Sequence, residues 1–438
     1  MSEPNSNRKV LGVILLTVFL DLVGFSIIFP LFPDMLEYYL GQEQAGGWLH
    51  GLIANLEQLS GFKGEQARLA ATVLFGGLLG SLYSVLQFIA SPIWGSMSDA
   101  RGRRSILVIT TLGTAFGYLL WVFAGSFWLL VLSRLVGGLM AGNLSVATAA
   151  VADATDENSR SKGMGMIGAA FGVGFIVGPA MGALLSRWDL SQTLTSIPGL
   201  NPFSGPALVA LVLAVVNFVW VLRSFPETLG GEGGGASHAR RPVNPLQLFR
   251  PFDLPGVNRT NLLNFVFIFA FAGMEFTLTF LAKDRFGYTA AQQGFLFLFI
   301  GIVIAVVQGG VIRRLAPKYG EKRLVVVGLA CVMPGLLLIA ICKQQWVLYL
   351  GLFFVAVGQS LVSPSLTALV SLYSPSDRQG EVLGVFRSVG SLGRAFAPIA
   401  AALIYWRFGS HWPYFGSALV LMLPIWLAVG LPIKRKVD

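Results

Sequence analysis

Val10-Leu-Gly-Val-Ile-Leu-Leu-Thr-Val-Phe-Leu-Asp21-Leu-Val-Gly24-Phe-Ser-Ile-Ile-Phe-Pro30-Leu-Phe-Pro33 holds one ionisable side chain in 24 residues. As a helix it reaches about 36 Å, more than the roughly 30 Å hydrocarbon core of a bilayer. Arg8 and Lys9 precede it, and no small-residue cleavage site follows before the next loop. The run is therefore expected to be a retained transmembrane helix and not a signal peptide.

Eleven comparable runs follow, at 71–94, 105–124, 128–151, 162–186, 206–224, 259–282, 291–313, 323–342, 346–370, 380–404 and 412–432. The composition agrees with twelve spans. Apolar residues make up 55% of the 438 and charged residues 12%, with a mean hydropathy of +0.71. A soluble chain carries about 25% charged residues, so this one cannot cover a globular surface. The 52 Gly and 33 Phe suit a helical membrane bundle. Cys331 and Cys342 are 11 residues apart in one apolar run, roughly 16 Å along a helix, and cannot bridge to each other.

Lys and Arg set the orientation. With the N-terminus inside, the inner segments hold 21 of the 31 and the outer loops hold 7; Arg134, Arg387 and Arg394 lie within spans. Both termini are thus expected in the cytoplasm, and the net charge of +10 reads as topology, not as a nucleic-acid surface. The longest inner break, 225–258, contains Gly230-Gly-Glu-Gly-Gly-Gly235 and Pro242, Pro245, Pro251 and Pro255. It divides the chain into a first six-helix bundle, 1–224, and a second, 259–438.

The halves repeat. Arg160 and Gly163 open the fifth span as Arg378 and Gly380 open the eleventh; Pro179 matches Pro398 at an offset of 219, and Gly102 matches Gly320 at 218. Many secondary transporters are built from such repeats, with substrate bound between the halves near mid-membrane. The outer loop 34–70 is long, and its Trp48, Leu52, Ile53, Leu56 and Leu59 recur at helical steps. A short amphipathic helix lying on the outer face is expected there, as a structural cap in preference to a substrate gate.

After the second span comes Gly95-Ser-Met-Ser-Asp99-Ala-Arg-Gly102-Arg103-Arg104. A tight glycine turn here would display Asp99 and the arginines to neighbouring helix ends. The stretch resembles the GxxxDxxGRR signature of the major facilitator superfamily. Arg134-Leu-Val-Gly-Gly-Leu-Met-Ala-Gly-Asn143 is similar to that family's fourth-span motif, and Gly174-Phe-Ile-Val-Gly178-Pro179-Ala-Met-Gly182 to the fifth-span motif of its antiporters. The first span resembles the opening of tetracycline/proton antiporters. Leu74-Phe-Gly-Gly-Leu-Leu-Gly-Ser81, Gly273-Met-Glu275-Phe-Thr-Leu-Thr-Phe and Arg387-Ser-Val-Gly-Ser-Leu-Gly-Arg394-Ala extend the likeness to the tetracycline-transporter-like, TETRAN-type branch, associated with organic anion transport.

The resemblance implies an all-α membrane protein of twelve transmembrane helices in two pseudo-symmetric bundles, with spans 3, 6, 9 and 12 facing lipid. It also implies that Asp99 approaches the start of the eleventh span and that an Arg of the loop approaches Asp153 at the end of the fourth. Those contacts would latch the inner side. Gly95, Asp99, Gly102, Arg103, Arg104, Asp153, Gly178 and Pro179 are the expected conformational residues.

Charge inside a membrane needs a reason, since each ionisable group at a helix centre costs roughly 2.5–3.5 kcal/mol on insertion scales. Five groups qualify: Asp21, Arg134, Glu275, Arg387 and Arg394. They fall on spans 1, 4, 7 and 11. Measured from the inner side, Asp21, Arg134, Glu275 and Arg394 lie at about 17, 21, 24 and 21 Å, one layer near mid-membrane. Asp21 is either a proton-coupling site or a structural pair for Arg134. Glu275 is either a second proton site or the counter-ion of Arg394. Arginine cannot change protonation, so Arg387 and Arg394 bind an anion or pair a carboxylate. Gln87, Asn143, Gln308 and Gln359 could line the same cavity or join helices; Asn143, in a sequon with Ser145, is not expected to be glycosylated within the membrane.

These residues lead to an expected function: proton-coupled efflux or antiport of amphiphilic organic anions by alternating access. Asp21 and Glu275 would carry protons, and Arg394, Arg387, Arg134, Asn143 and Gln359 would contact substrate. Three embedded arginines against two acids favour an anion. The alternatives are a multidrug or tetracycline-type antiporter of neutral or cationic compounds, and a transporter-like receptor or scaffold. No enzyme chemistry, metal or cofactor is expected, and no GxxxxGK[ST] loop is present for ATP. The expected partners are a small molecule, protons and the lipid bilayer, with the protein a monomer.

Overall fold

The computed structural model describes residues 4–42, 47–155, 157–228, 251–375 and 379–432, and every regular element among them is helical. The first half carries α1 Pro4–Ser26, α2 Phe32–Gln42, α3 Trp48–Ser60, α4 Glu65–Arg101, α5 Arg103–Val122, α6 Phe127–Met140, α7 Asn143–Ala154, α8 Glu157–Leu185, α9 Leu190–Thr193 and α10 Ser204–Ser224. The second carries α11 Val257–Phe286, α12 Ala290–Val306, α13 Arg313–Tyr319, α14 Glu321–Ile341, α15 Gln345–Tyr373, α16 Gln379–Phe408, α17 Trp412–Val420 and α18 Met422–Val429. Eleven stretches among the described residues are long and apolar enough to cross a bilayer. The 29-residue α8 occupies the place of the fifth span. The linker glycines, Pro242, Pro245 and Arg378 lie outside the described residues.

The elements depart from the simple apolar runs where particular residues demand it. The first span stops being α-helical at Ser26, because a proline at 30 cannot donate to the carbonyl of residue 26 and its ring crowds it. A 3-10 turn, Phe29–Leu31, follows, and α2 carries the chain on to Gln42. The second span is a 37-residue helix, so Gly95 and Asp99 sit within α4 and not in a loop. An isolated glycine costs a helix only about 1 kcal/mol. The turn falls on Gly102 alone, at φ +97°.

The fourth span breaks at Ala141–Gly142 into α6 and α7. In an unbroken helix the carbonyl of Leu139 would accept from residue 143; here the indole of Trp94 donates to it at 2.7 Å. The eighth span passes through a π-helical segment, Val307–Ile312, and the twelfth divides at Leu421. The segment between the first two spans does form an amphipathic helix, α3, with Leu49 and Ile53 buried and Trp48 and Leu59 exposed. Trp406 of α16 donates to the carbonyl of Leu56 at 2.9 Å and fastens it.

Packing groups the chain into two compact units, Met1–Ile28 with Leu82–Arg250, and Phe29–Ser81 with Pro251–Asp438. In the first, α1 packs on α8 and α10, and α5 packs on α6 and α10. In the second, α11 packs on α16 and α18, and α14 on α15 and α17. The pairing of first with fifth and third with sixth spans thus recurs as seventh with eleventh and ninth with twelfth. The sequence repeat is also a packing repeat.

Gly178 shows how tight the first of these pairs is. A Cβ at that position would overlap Ser26 Oγ and the carbonyl of Val23 on α1. Ser26 donates to the carbonyl of Leu22 at 2.7 Å and is buried in the same seam. Pro179 follows inside α8, as Pro398 stands inside α16.

Candidate functional site

In the first unit the acid of the first span meets the break in the fourth. Asn143 begins α7, and its Nδ2 donates to Asp21 Oδ1 at 3.1 Å. Asn143 is 1% exposed, and its own Oδ1 has no hydrogen-bond donor among the described residues. The break brings this about, because it lets the first residue of α7 turn inward from a chain otherwise committed to α6. Tyr83 and Tyr118 lie within the electrostatic reach of both Asp21 and Arg134. Arg134 is 5% exposed, with its guanidinium 4.8 Å from the centre of the Trp121 ring. Such stacking is stronger where water is excluded. Tyr83, Tyr118 and Trp121 carry no signal in the sequence that sets them apart from the other aromatics of the spans.

The second unit brings together the acid of the seventh span and an arginine of the eleventh. Arg394 Nη1 stands 3.5 Å from Glu275 Oε2. Their helices meet along a glycine seam, with Gly273 against Ala401 and Gly393 against the backbone of Phe265 and Phe269. Arg387 lies seven residues inward on α16, and Asn264 Nδ2 donates to the neighbouring carbonyl of Phe386 at 3.0 Å. Gln359 stands on α15, its Oε1 buried without a hydrogen-bond partner.

The turn at Gly102 is an ion-pair node. Arg103, 3% exposed, pairs with Asp99 one turn back and with Asp153 Oδ2 at 2.9 Å, and donates to Ser98 Oγ at 2.6 Å. It therefore ties the end of the fourth span to the second. Gly95 faces Ser145 of α7, whose Oγ would stand 2.7 Å from a Cβ there.

One residue at this turn carried no signal in the sequence. Glu227, beyond the sixth span, accepts from the backbone N–H of Arg103 at 2.9 Å and of Arg104 at 3.2 Å. A carboxylate at the first turn of α5 satisfies orphan donors and complements the helix dipole. Arg104 reaches the carbonyl of Leu222 at 2.8 Å and completes the tie. The start of the eleventh span, the expected neighbour of Asp99, includes residues outside those described.

At the C-terminal end of α11 Lys283 pairs with Asp34 at 2.5 Å and with Glu37 at 3.0 Å, both on α2. Phe32 meets Phe276 edge-on at 6.2 Å, and Gly77 of α4 lies against the carbonyl of Pro398 and the Cβ of Ala402.

The geometry thus contains two half-buried acids, each with a polar partner, and arginines held inside spans. Known proteins resemble this chain in sequence. The family profile of the Major Facilitator Superfamily matches residues 14–398, with a further match over 311–437. Major facilitator superfamily domain-containing protein 10 of Mus musculus is 34% identical over 97% of this chain and 93% of its own length; the Homo sapiens protein is 34% identical over 96% and 92%. The class B tetracycline resistance protein of Escherichia coli is 28% identical over 92% and 89%. The crystal structure of the human organic anion transporter MFSD10 (TETRAN) superposes with a TM-score of 0.76 at 33% identity, covering 98% of this chain and all of that one. A bacterial homologue of the human lysosomal transporter Spinster, inward-facing and occupied, shares the fold alone, with a TM-score of 0.67 at 14% identity. The chain is a multi-pass membrane transporter, not an enzyme, and belongs to the major facilitator superfamily.

Proposed function

We propose that this protein is a proton-coupled secondary transporter of amphiphilic organic anions. The carrying observation is the pair Arg394–Glu275, 3.5 Å apart within the second unit, with Arg387 one heptad inward. A guanidinium offers a planar fork of donors suited to a carboxylate or sulfonate. An anion arriving at Arg394 would replace Glu275 as its counter-charge, and a proton on Glu275 would release the Arg. Proton uptake and anion binding then favour each other at one pair of residues. The human relative described as an organic anion transporter supports the substrate class.

Asp21 is the second proton site, held by Asn143, with Arg134 beside the same tyrosines as a structural or coupling element. The two halves, 1–224 and 259–438, would carry out alternating access, with linker 225–258 and both termini on the cytoplasmic side. Gly95, Asp99, Gly102, Arg103, Arg104 and Asp153 form the inner latch, and Gly178 with Pro179 the seam that moves. The tetracycline resistance relatives favour a second reading, in which Asp21 and Glu275 face a neutral or cationic drug.

Binding measured by thermal shift on purified protein, with fluorescein as the anion and a quaternary ammonium dye as the cation, at a mildly acid and an alkaline pH, separates the two. The proposal expects the anion to stabilise the protein, more strongly at the lower pH. Stabilisation by the cation alone overturns it.

A further inference from the structure

A narrow crevice between α1, α5 and α10 borders Asp21; Thr111, Thr114, Tyr118 and Asn217 line it as well. Its hydrogen-bonding inventory is one-sided. Thr111 and Thr114 donate to carbonyls of their own helix, those of Leu107 at 2.7 Å and Thr110 at 2.9 Å, so their oxygens have only lone pairs left to offer. Asn217, 3% exposed, has an Oδ1 with no donor. Asn143 Oδ1, on the amide that holds Asp21, has none either. Thr17, one turn from Asp21 on the same face of α1, is fully buried, and its hydroxyl has no partner.

Buried polar atoms are almost always hydrogen-bonded, and orphans point to a missing occupant. Among the described residues three such orphans neighbour Asp21: Asn217 lines the crevice with it, Asn143 is bonded to it, and Thr17 stands one turn away on α1. Two of them are amide oxygens, which accept and cannot donate. What completes the cluster must therefore bring positive charge or hydrogen. The space is narrower than a water molecule in this conformation, which suits a proton or a bare small ion better than a hydrated one. The other charged or titratable groups in the neighbourhood are Tyr83 on α4, Tyr118 on α5 and Arg134 on α6.

We propose that this crevice is the site of the coupling cation, with Asp21 as its negative charge and Thr17, Asn143, Asn217 and the α5 threonines as its neutral oxygens. The cation is a proton on Asp21 hydrogen-bonded to these oxygens, or Na⁺ ligated by them; both require the same hard oxygen shell. The site lies within the first unit, among α1, α5, α7 and α10. It rests on the coupling role given to Asp21 above and adds the residues that set its cation affinity.

Infrared spectroscopy of the purified full chain in lipid nanodiscs tests this without any organic substrate. The signal is the carboxyl band that Asp21→Asn removes, followed in a pH titration in K⁺ buffer and in a Na⁺ titration at fixed alkaline pH. In the parent, response to pH alone identifies the proton, and displacement by Na⁺ identifies the metal ion; either supports the site. Asn217→Val and Thr17→Val should each lower cation affinity about tenfold, the scale for removing a supporting partner of a cation ligand. Thr17→Ser, which keeps the hydroxyl, should restore it. If both valine variants bind the cation within about twofold of the parent, the crevice is not the site and this inference falls alone. If the parent has no band sensitive to Asp21→Asn and to either cation, the coupling role of Asp21 falls first.

Discussion

Arg394 and Glu275 face each other across the seam between α16 and α11, 3.5 Å apart, in a protein with few ionisable groups inside its spans. The pair joins two helices that carry the same places in the second half as α8 and α1 carry in the first. Neither charge could stay in a membrane interior without cost, and each supplies the other's counter-charge.

Arg394→Ala should weaken binding of fluorescein by about 2 kcal/mol or more, roughly thirtyfold, because one partner of a buried charge pair is removed. Arg394→Lys should recover little, since an ammonium does not replace the guanidinium fork. Equilibrium binding to the purified variants checks both. Loss of cation binding with anion binding intact would assign the pocket to the drug-cation reading.

Asp21→Asn should abolish substrate accumulation driven by a pH gradient in proteoliposomes while leaving a folded protein. The amide keeps the shape and can still meet Asn143, but it cannot carry a proton. Accumulation equal to the parent's would leave Asp21 as a structural partner of Asn143 and move coupling to Glu275.

Arg103→Ala should destabilise the inner face by about 3 kcal/mol, the lower end for breaking a buried ion pair, because it strands Asp99 and Asp153 together. Arg103→Lys should recover part of that loss, as it keeps the charge without the fork. Thermal denaturation in detergent measures it, and an unchanged melting temperature would reduce the node to a topology signal.

Lys283→Ala should shift the outer ends of α2 and α11 apart in part of the population. Asp34 and Glu37 are half-exposed or nearly so, which limits the pair to about 1 kcal/mol, roughly a fivefold change in the ratio of states. Electron-spin distances between labels on α2 and α11 would report it. Identical distance distributions would show that the ion pair does not hold α2 against α11.

Hydropathy and charge are local properties, so the spans and the embedded groups were legible from single stretches of chain. The glycine-rich motifs carried the family likeness for the same reason. Yet Asp99 was placed in a turn, and the helix runs through it to Arg101, because one glycine at 95 is too weak a breaker. Glu227 had no signal at all: an acid after a span looks like any solvated loop residue until the N-terminus of α5 is seen beside it. The break at Ala141–Gly142 was hidden too, since a continuous apolar run conceals an indole arriving from 45 residues away.

The sequence by itself determined that this is an all-helical membrane protein with a repeated half and with acids and arginines set within its apolar runs, because burying a span in lipid depends only on the residues of that span. Only the tertiary structure decided that Asp21 meets Asn143, that Arg394 meets Glu275, and that Arg103 bridges Asp99 and Asp153. Two of those contacts join residues about 120 apart in the chain, 122 in one case and 119 in the other. A hydrogen bond or an ion pair is a condition on ångström distances between side chains, and such distances are set by how helices pack, which no single stretch of sequence contains.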